Sequence, residues 1–267
     1  MTRAPARLLI IGGSDSSGGA GIQADIKTAT ALGVYAMTAI TAVTAQDTTG
    51  VHAIELMSPA LVRAQMLACF EDIGADIVKI GMLGSAEIAL TVIAVLREYL
   101  PQVVLDTVFT SSSGTALLDE EGIDVLKKEI IPFSTLVTPN IPEIERLTGV
   151  ACDDVEGMRR AGMALTGGCS KAVLVKGGHG SSDVVTDVFI AFGHATEISH
   201  PRQDTRHTHG TGCSYATAIA CGMAQHVLMQ EAIMQARDFV QSAIAAAPGF
   251  GRGNGPLNHL HGISRSR

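Results

Sequence analysis

Two glycines, a threonine and a cysteine stand together in Thr208-His209-Gly210-Thr211-Gly212-Cys213. The alanine-rich run from Ser214 to Cys221 follows at once and reads as a buried helix. A helix start offers unpaired backbone N–H groups and the positive end of the macrodipole, which together make an anion site. Gly210 and Gly212 lack a Cβ, so a phosphate could come close to the backbone there. Cys213 falls in the first turn, where the same field is expected to lower a thiol pKa. By composition alone the stretch reads first as a glycine turn beside a buried cysteine.

Other residues carry oxygen or charge to strand ends. Asp106, Asn140 and Glu143 form a loose set of oxygen donors of the kind Mg²⁺ accepts alongside water and substrate phosphates. Each also reads as a helix cap or a surface acid. Lys176 closes a strand before Gly177-Gly178. His207-x-His209 and His259-x-His261 lack the third spaced ligand that zinc needs. Cys69, Cys152, Cys169 and Cys221 read as small apolar residues. Gly19 to Ala24 matches a dinucleotide fingerprint, but the strand before it ends too early, and no acid follows about twenty residues on. There is no Walker A motif.

The elements that must hold these residues alternate along the chain. Leu8 to Ile11 reads as a buried strand, with 14–21 as a loop after it. A helix is predicted over 22–32, stopped by Gly33. The β-branched stretch 35–44, the turn signal at 47–50 and the stretch 51–57 predict a hairpin projecting from the main sheet. Ser58-Pro59 and Ser85 open the next two helices, and a further helix over 120–131 is expected to end at Pro132. Short strands are expected at 77–80, 103–107, 136–138 and 172–176, helices at 143–147, 155–165, 213–226 and 231–247, and antiparallel strands at 184–192 and 196–199. Such alternation predicts an α/β fold, a doubly wound and mostly parallel sheet with helices on both faces. Ligands of such sheets bind outside the C-terminal strand ends.

The chain has 267 residues, of which 46% are hydrophobic and 17% charged, enough for one large domain. Its net charge of −7 argues against a nucleic-acid surface, and no apolar run reaches membrane-spanning length. Five cysteines without a C-x-x-C pair fit a reduced compartment, and 1–7 is too short for a secretion signal. The expected location is the cytoplasm.

Seven ordered motifs now carry a resemblance. Gly12-Gly13-Ser14-Asp15-Ser16-Ser17-Gly18-Gly19-Ala20-Gly21-Ile22-Gln23-Ala24-Asp25 resembles the N-terminal signature of the hydroxymethylpyrimidine/phosphomethylpyrimidine kinases, the thiamin-pathway members of the ribokinase-like superfamily. Thr44 to Thr48, Lys79 to Leu83, Val104 to Val108, Thr138 to Glu143, Val175 to His179 and His209 to Cys213 follow in the family's order. The resemblance covers essentially the whole chain. It implies one ribokinase-like domain over 1–267 with a small β-hairpin lid at about 35–57, and a homodimer. It implies a kinase that uses ATP and Mg²⁺ on a small pyrimidine, in thiamin biosynthesis. By the same likeness Cys213 is the base, Gly210, Thr211 and Gly212 supply N–H groups, and Lys176 assists. Gly13, Asp25, Gln46, Met82 and Val108 form the substrate pocket. Asn140, Lys176, Thr211 and Gly212 meet the nucleotide, and Asp106 and Glu143 meet the metal. The segment 184–195 and the tail 251–256 depart from the family pattern and are expected on the nucleotide side. A pyridoxal or pyridoxine kinase and a non-catalytic pyrimidine-binding regulator are the rival readings.

Overall fold

The computed structural model describes residues 4–111, 113–168, 172–178 and 182–261; Cys169 and His179 lie outside them. Among the described residues one sheet has nine strands, in the order β3-β2-β1-β4-β5-β6-β7-β8-β9. These are β1 (Arg7–Asp15), β2 (Tyr35–Asp47), β3 (Gly50–Leu56), β4 (Ile77–Ile80), β5 (Val103–Leu105), β6 (Leu136–Val137), β7 (Ala172–Val175), β8 (Val184–Ala191) and β9 (His194–Pro201). The pairs from β2 through β1 and β4 to β7 are parallel, while β3, β8 and β9 join antiparallel at the two edges.

The helices are α1 (Gly21–Ala31), α2 (Pro59–Ala68), α3 (Ala86–Tyr99), α4 (Glu120–Val125), α5 (Ile131–Phe133), α6 (Ile141–Thr148), α7 (Val155–Gly168), α8 (Thr211–Ala224) and α9 (Met229–Ala245). Successive strand side chains point to opposite faces, and β1 shows the result. Leu9 and Ile11 pack into a core with α2, α3, α4, α6 and α7; Leu8 and Ile10 pack into a second core with α1, α8 and α9. The doubly wound expectation therefore holds. Ser58 and Ser85 cap α2 and α3 through their hydroxyl oxygens, as their positions before helical runs required.

Three local expectations fail for identifiable reasons. β1 runs on through Ser14 and Asp15, because β2 continues alongside it and supplies partners beyond the glycines. For the same reason the hairpin does not project from the sheet: β2 is a full member, paired with β1 from Arg7↔Tyr35 to Asp15↔Thr44. Only the outer part, Ala42 to Asp47, also pairs with β3. Pro132 does not end its helix. Leu126–Ile130 takes the wider π spacing, and the chain then winds through Pro132 to Phe133.

The tail is held against the hairpin. The Gly253 N–H donates to Thr48 Oγ1 at 3.2 Å, and the Asn254 N–H donates to the Thr48 carbonyl at 2.9 Å. The loop 251–256 thus packs on the tip of the hairpin. A Cβ on Gly253 would collide with the Thr48 carbonyl, which explains a glycine there.

Where α8 begins, Gly210 has φ +83°, and a Cβ there would drive into the Gly19 carbonyl. Glycine is thus required both by dihedral and by space. Gly210→Ala is expected to lower the unfolding free energy by more than ~1 kcal/mol. Urea denaturation of the purified variant measures this, with Gly33→Ala as a control that carries the same strain in open space.

Candidate active site

The C-terminal ends of β1, β4, β5, β6 and β7 face the starts of α1, α6 and α8 across one cavity of about 770 Å³. All thirteen residues expected from the sequence line it: Gly13, Asp25, Gln46, Met82, Asp106, Val108, Asn140, Glu143, Lys176, Gly210, Thr211, Gly212 and Cys213. Their surroundings decide what each can do.

The first turn of α8 presents its backbone to the cavity. The Thr211 N–H already donates to the Thr208 carbonyl at 3.2 Å, and its hydroxyl donates to the same oxygen at 2.7 Å. Gly212 and Cys213 follow in that turn, where no intrahelical acceptor exists. A Cβ on Gly212 would stand 3.5 Å from Lys176 Nζ and 3.8 Å from Asp106 Oδ2, so the bare α-carbon keeps the helix end open toward that pair.

The Cys213 thiol does not behave as its helix position suggested. Burial pushes its pKa up to about 11; Lys79 opposes the rise, and Asp25 and Asp106 reinforce it. Loss of hydration outweighs the field of one helix end. The thiol is neutral at pH 7.

Asp25 lies beneath this turn with Lys79, each 1% exposed and 2.8 Å apart. Thr217 of α8 donates to the other Asp25 oxygen at 2.7 Å. Burial alone would lower the Lys79 pKa, but Asp25, with Cys213 and Asp106 adding to it, raises it. Lys79 was not among the expected site residues. Its signal was nevertheless present: a lysine inside the four-residue buried strand Ile77-Val78-Lys79-Ile80 requires a buried acid.

Asp106 holds Lys176 at 2.7 Å, both largely buried, and accepts from Thr138 Oγ1 at 3.3 Å. Burial raises the carboxyl pKa, yet Lys176 and Lys79 together carry it below the ordinary value. Asn140 and Glu143 form a capping box at the start of α6. Glu143 N–H donates to Asn140 Oδ1 at 2.9 Å, and Asn140 N–H donates to Glu143 Oε2 at 2.8 Å. Thr107 also donates to that Glu143 oxygen at 2.8 Å. Burial lifts the Glu143 pKa to about 7, with Lys176 opposing and Asp106 adding to the rise. Among the described residues no cluster of three His, Cys, Asp or Glu side chains could hold a metal ion unaided.

Two further networks escaped the sequence reading. Asp15 accepts from Ser17 N–H, Ser17 Oγ, Ala20 N–H and His209 Nε2. Burial works against this carboxylate, but His209 and the backbone donors bring its pKa down to about 2. His209 is thus engaged with Asp15 and not with His207 around zinc. Asp187, fully buried in β8, accepts from Gly177 N–H at 2.8 Å, Tyr215 Oη at 3.1 Å and the Arg237 guanidinium, which stacks 4.3 Å over the Tyr215 ring. An aspartate amid Val185, Val188, Phe189 and Ile190 was the visible clue.

The family model described as phosphomethylpyrimidine kinase matches residues 15–258. The chain belongs to the phosphomethylpyrimidine kinase family. A hydroxymethylpyrimidine/phosphomethylpyrimidine kinase of Streptomyces coelicolor is 42% identical over 96% of this chain and 94% of its own. The thiamine biosynthesis bifunctional protein of Geobacter sulfurreducens is 45% identical over 95% of this chain, which spans about half, 52%, of that longer protein. The pyridoxal kinase of Staphylococcus aureus, solved with AMP-PCP and pyridoxal, superposes with a TM-score of 0.90 at 29% identity, over 99% of this chain and 96% of its own. The fold is the ribokinase-like one that the sequence implied. No helix of the described residues is long and apolar enough to cross a membrane. Membership of the phosphomethylpyrimidine kinase family does not by itself explain the buried Lys79–Asp25 pair, whose partners sit on separate elements beneath the helix turn.

That pair should dominate local stability. Lys79→Met leaves Asp25 buried and unpaired, and a loss of ~3–5 kcal/mol is expected. Adding Asp25→Leu should recover at least half of it. Chemical denaturation of the single and double variants checks this; equal loss in both would show packing, not charge, at work.

Proposed function

We propose that this chain is an ATP- and Mg²⁺-dependent kinase. It phosphorylates 4-amino-5-hydroxymethyl-2-methylpyrimidine and then the monophosphate, yielding the pyrophosphate, in thiamin biosynthesis in the cytoplasm. The observation that carries the reading is one cavity lined both by the glycine turn of α8 with Lys176 and by Gln46, in a chain of this family. Mass spectrometry of products from the pyrimidine, ATP and Mg²⁺ tests it directly. The sequence relatives favour the pyrimidine over pyridoxal, and turnover on both rings separates these readings. Formation of any phosphorylated product sets aside a purely regulatory role. A homodimer belongs to the same reading, and analytical ultracentrifugation tests it.

Phosphoryl transfer asks chiefly for position and charge neutralisation. Gly210 lets the α8 turn pack against the Gly19 carbonyl, and the bare α-carbon of Gly212 would leave room for a phosphate beside Lys176. The N–H groups of Gly212 and Cys213 and the Lys176 ammonium would face the charge that builds during transfer. Thr211 contributes less than the sequence implied, because its N–H is already spent on Thr208. Asn140 spends its side chain on the α6 cap, so its part is to place Glu143. Gln46 can match an aminopyrimidine edge with one donor and one acceptor. Gly13, Met82 and Val108 would shape the ring pocket. Asp25 would act near the hydroxymethyl group through its pairing with Lys79. The hairpin at about 35–57 would act as a lid that keeps water from competing as acceptor.

The donor set fits Mg²⁺. Asp106 is close enough to Glu143 to help raise its pKa, and a dication would relieve that repulsion. When bound, Mg²⁺ would neutralise charge on the transferring phosphoryl group. A proton and the metal then compete for Glu143. Glu143 is protonated below its pKa of about 7, so the Mg²⁺ concentration for half-maximal rate should fall as pH rises toward 7 and level off above it. Glu143→Gln should raise the Mg²⁺ requirement and flatten that dependence. Titration of Mg²⁺ between pH 6 and pH 8.5 reads both.

Cys213 is the proposed base. With a thiol of pKa about 11 the thiolate fraction grows with pH across the working range, so the rate should climb between pH 7 and 9. Cys213→Ala should turn over about 10²–10⁴-fold more slowly, with a flat profile. Near-wild-type turnover on an unchanged pH profile would assign the catalysis to the helix turn and Lys176 alone.

A further inference from the structure

Four polar side chains meet where β1 and β2 end: Asp15, Thr44, Gln46 and His209. His209 Nε2 lies 3.0 Å from Asp15 Oδ2 and 3.3 Å from the near atom of the Gln46 amide, placed as Nε2. The far atom of the amide, placed as Oε1, lies 3.2 Å from Thr44 Oγ1, which is itself 3.0 Å from the Ser14 carbonyl oxygen. The two amide atoms are alike in shape, so their partners must decide which is which.

A count of protons decides it twice. Asp15 already accepts from two backbone N–H groups and a hydroxyl, and an ionised carboxylate only accepts. Its contact with His209 therefore needs a proton on Nε2, whatever Nδ1 carries. A ring nitrogen that donates has no lone pair left for an amide NH₂, so the amide atom beside it must be oxygen. At the other end, the Ser14 carbonyl also only accepts, and the single Thr44 hydroxyl proton goes to it. Thr44 Oγ1 then offers a lone pair, and the amide atom facing it must be the NH₂. The two counts use different partners and agree. Both require the Gln46 amide to be turned over, oxygen toward His209 and nitrogen toward Thr44.

We propose that His209, held by Asp15, is a positioning residue that fixes the sense of the Gln46 amide and thereby the edge of the ring that the pocket accepts. This rests on the pyrimidine reading given above. An aminopyrimidine edge carries a donor amine beside an acceptor ring nitrogen. Against an amide of fixed sense it pairs in one direction only, with its amine toward the oxygen on the His209 side. A ring presenting two acceptors, or the reverse order, places lone pair against lone pair or N–H against N–H. A free amide could turn over to suit either order, and His209 removes that freedom. The sheet contributes as well. The β2–β3 register shifts between Ala45 and Gln46, and such bulges re-aim the side chain that follows.

Long-range ¹H–¹⁵N correlation spectra of ¹⁵N-histidine protein test the proton count, with His209→Asn used to assign the signal. A proton on His209 Nε2 is expected; a ring protonated only on Nδ1 overturns the proposal. Calorimetry with 4-amino-5-hydroxymethyl-2-methylpyrimidine tests the consequence. His209→Asn should bind it about tenfold to a hundredfold more weakly, with ATP affinity within about twofold of wild type. The double variant His209→Asn/Gln46→Ala should lose no more than Gln46→Ala alone, because His209 acts through that amide. Additive losses overturn the positioning role. Thr44→Val paired with Gln46→Ala gives the same cycle from the other end of the amide, should His209→Asn fail to fold. A wild-type protein that binds no pyrimidine overturns the specificity role together with the functional reading, while the histidine tautomer still decides the sense of the amide.

Discussion

A buried charge must find a partner, and the interior of this kinase is arranged by that requirement. Lys79 on β4 and Lys176 after β7 are carried below the surface, where an unpaired ammonium is too costly to keep. Their acids come from other elements, Asp25 from α1 and Asp106 from the end of β5. Pairing them holds α1, β4, β5 and β7 in one relation to each other. Thr217 ties α8 to the same system through Asp25. The glycine turn of α8 therefore rests on a base of opposite charges, and its position above the cavity follows from how they pair.

The same charges govern the acids and the thiol nearby. Asp106 has two lysines to oppose its burial and is held ionised, whereas Glu143, opposed by Lys176 and pushed up by Asp106, is lifted to about 7. Two carboxyls in one cavity thus differ in affinity for protons because Asp106 is paired directly with Lys176 and also feels Lys79, while Glu143 is held by neutral donors and opposed by Lys176 alone of the two. Cys213 sits where desolvation outweighs the helix field, which makes it a strong base in small supply rather than a ready nucleophile.

Much of this was legible in the sequence, and for physical reasons. Four-residue apolar strands such as Ala172–Val175, leaving into polar and glycine residues, announce a buried sheet and place the site at its C-terminal edge. Ser58-Pro59 and Ser85 announce helix starts because a cap acts within three residues. What was not legible depends on pairs far apart in sequence. Lys79 and Asp25 are 54 residues apart and His209 and Asp15 are 194 apart, so no local pattern joins them. The continuation of β1 past its glycines needed knowledge of β2 as a neighbour. The raised thiol needed knowledge of burial, which spacing alone does not convey.

The clasp between the tail and Thr48 couples parts of the chain 205 residues apart. β2 is anchored along β1 as far as Thr44, and the tip beyond it is tethered to the loop 251–256. The hairpin therefore has no free hinge at its root. Any excursion of its tip has to drag the tail along or break two hydrogen bonds to the Thr48 backbone and hydroxyl. Access to the cavity on that side is in effect geared to the C-terminal loop, so a tug on the tail would be felt at the mouth of the pocket.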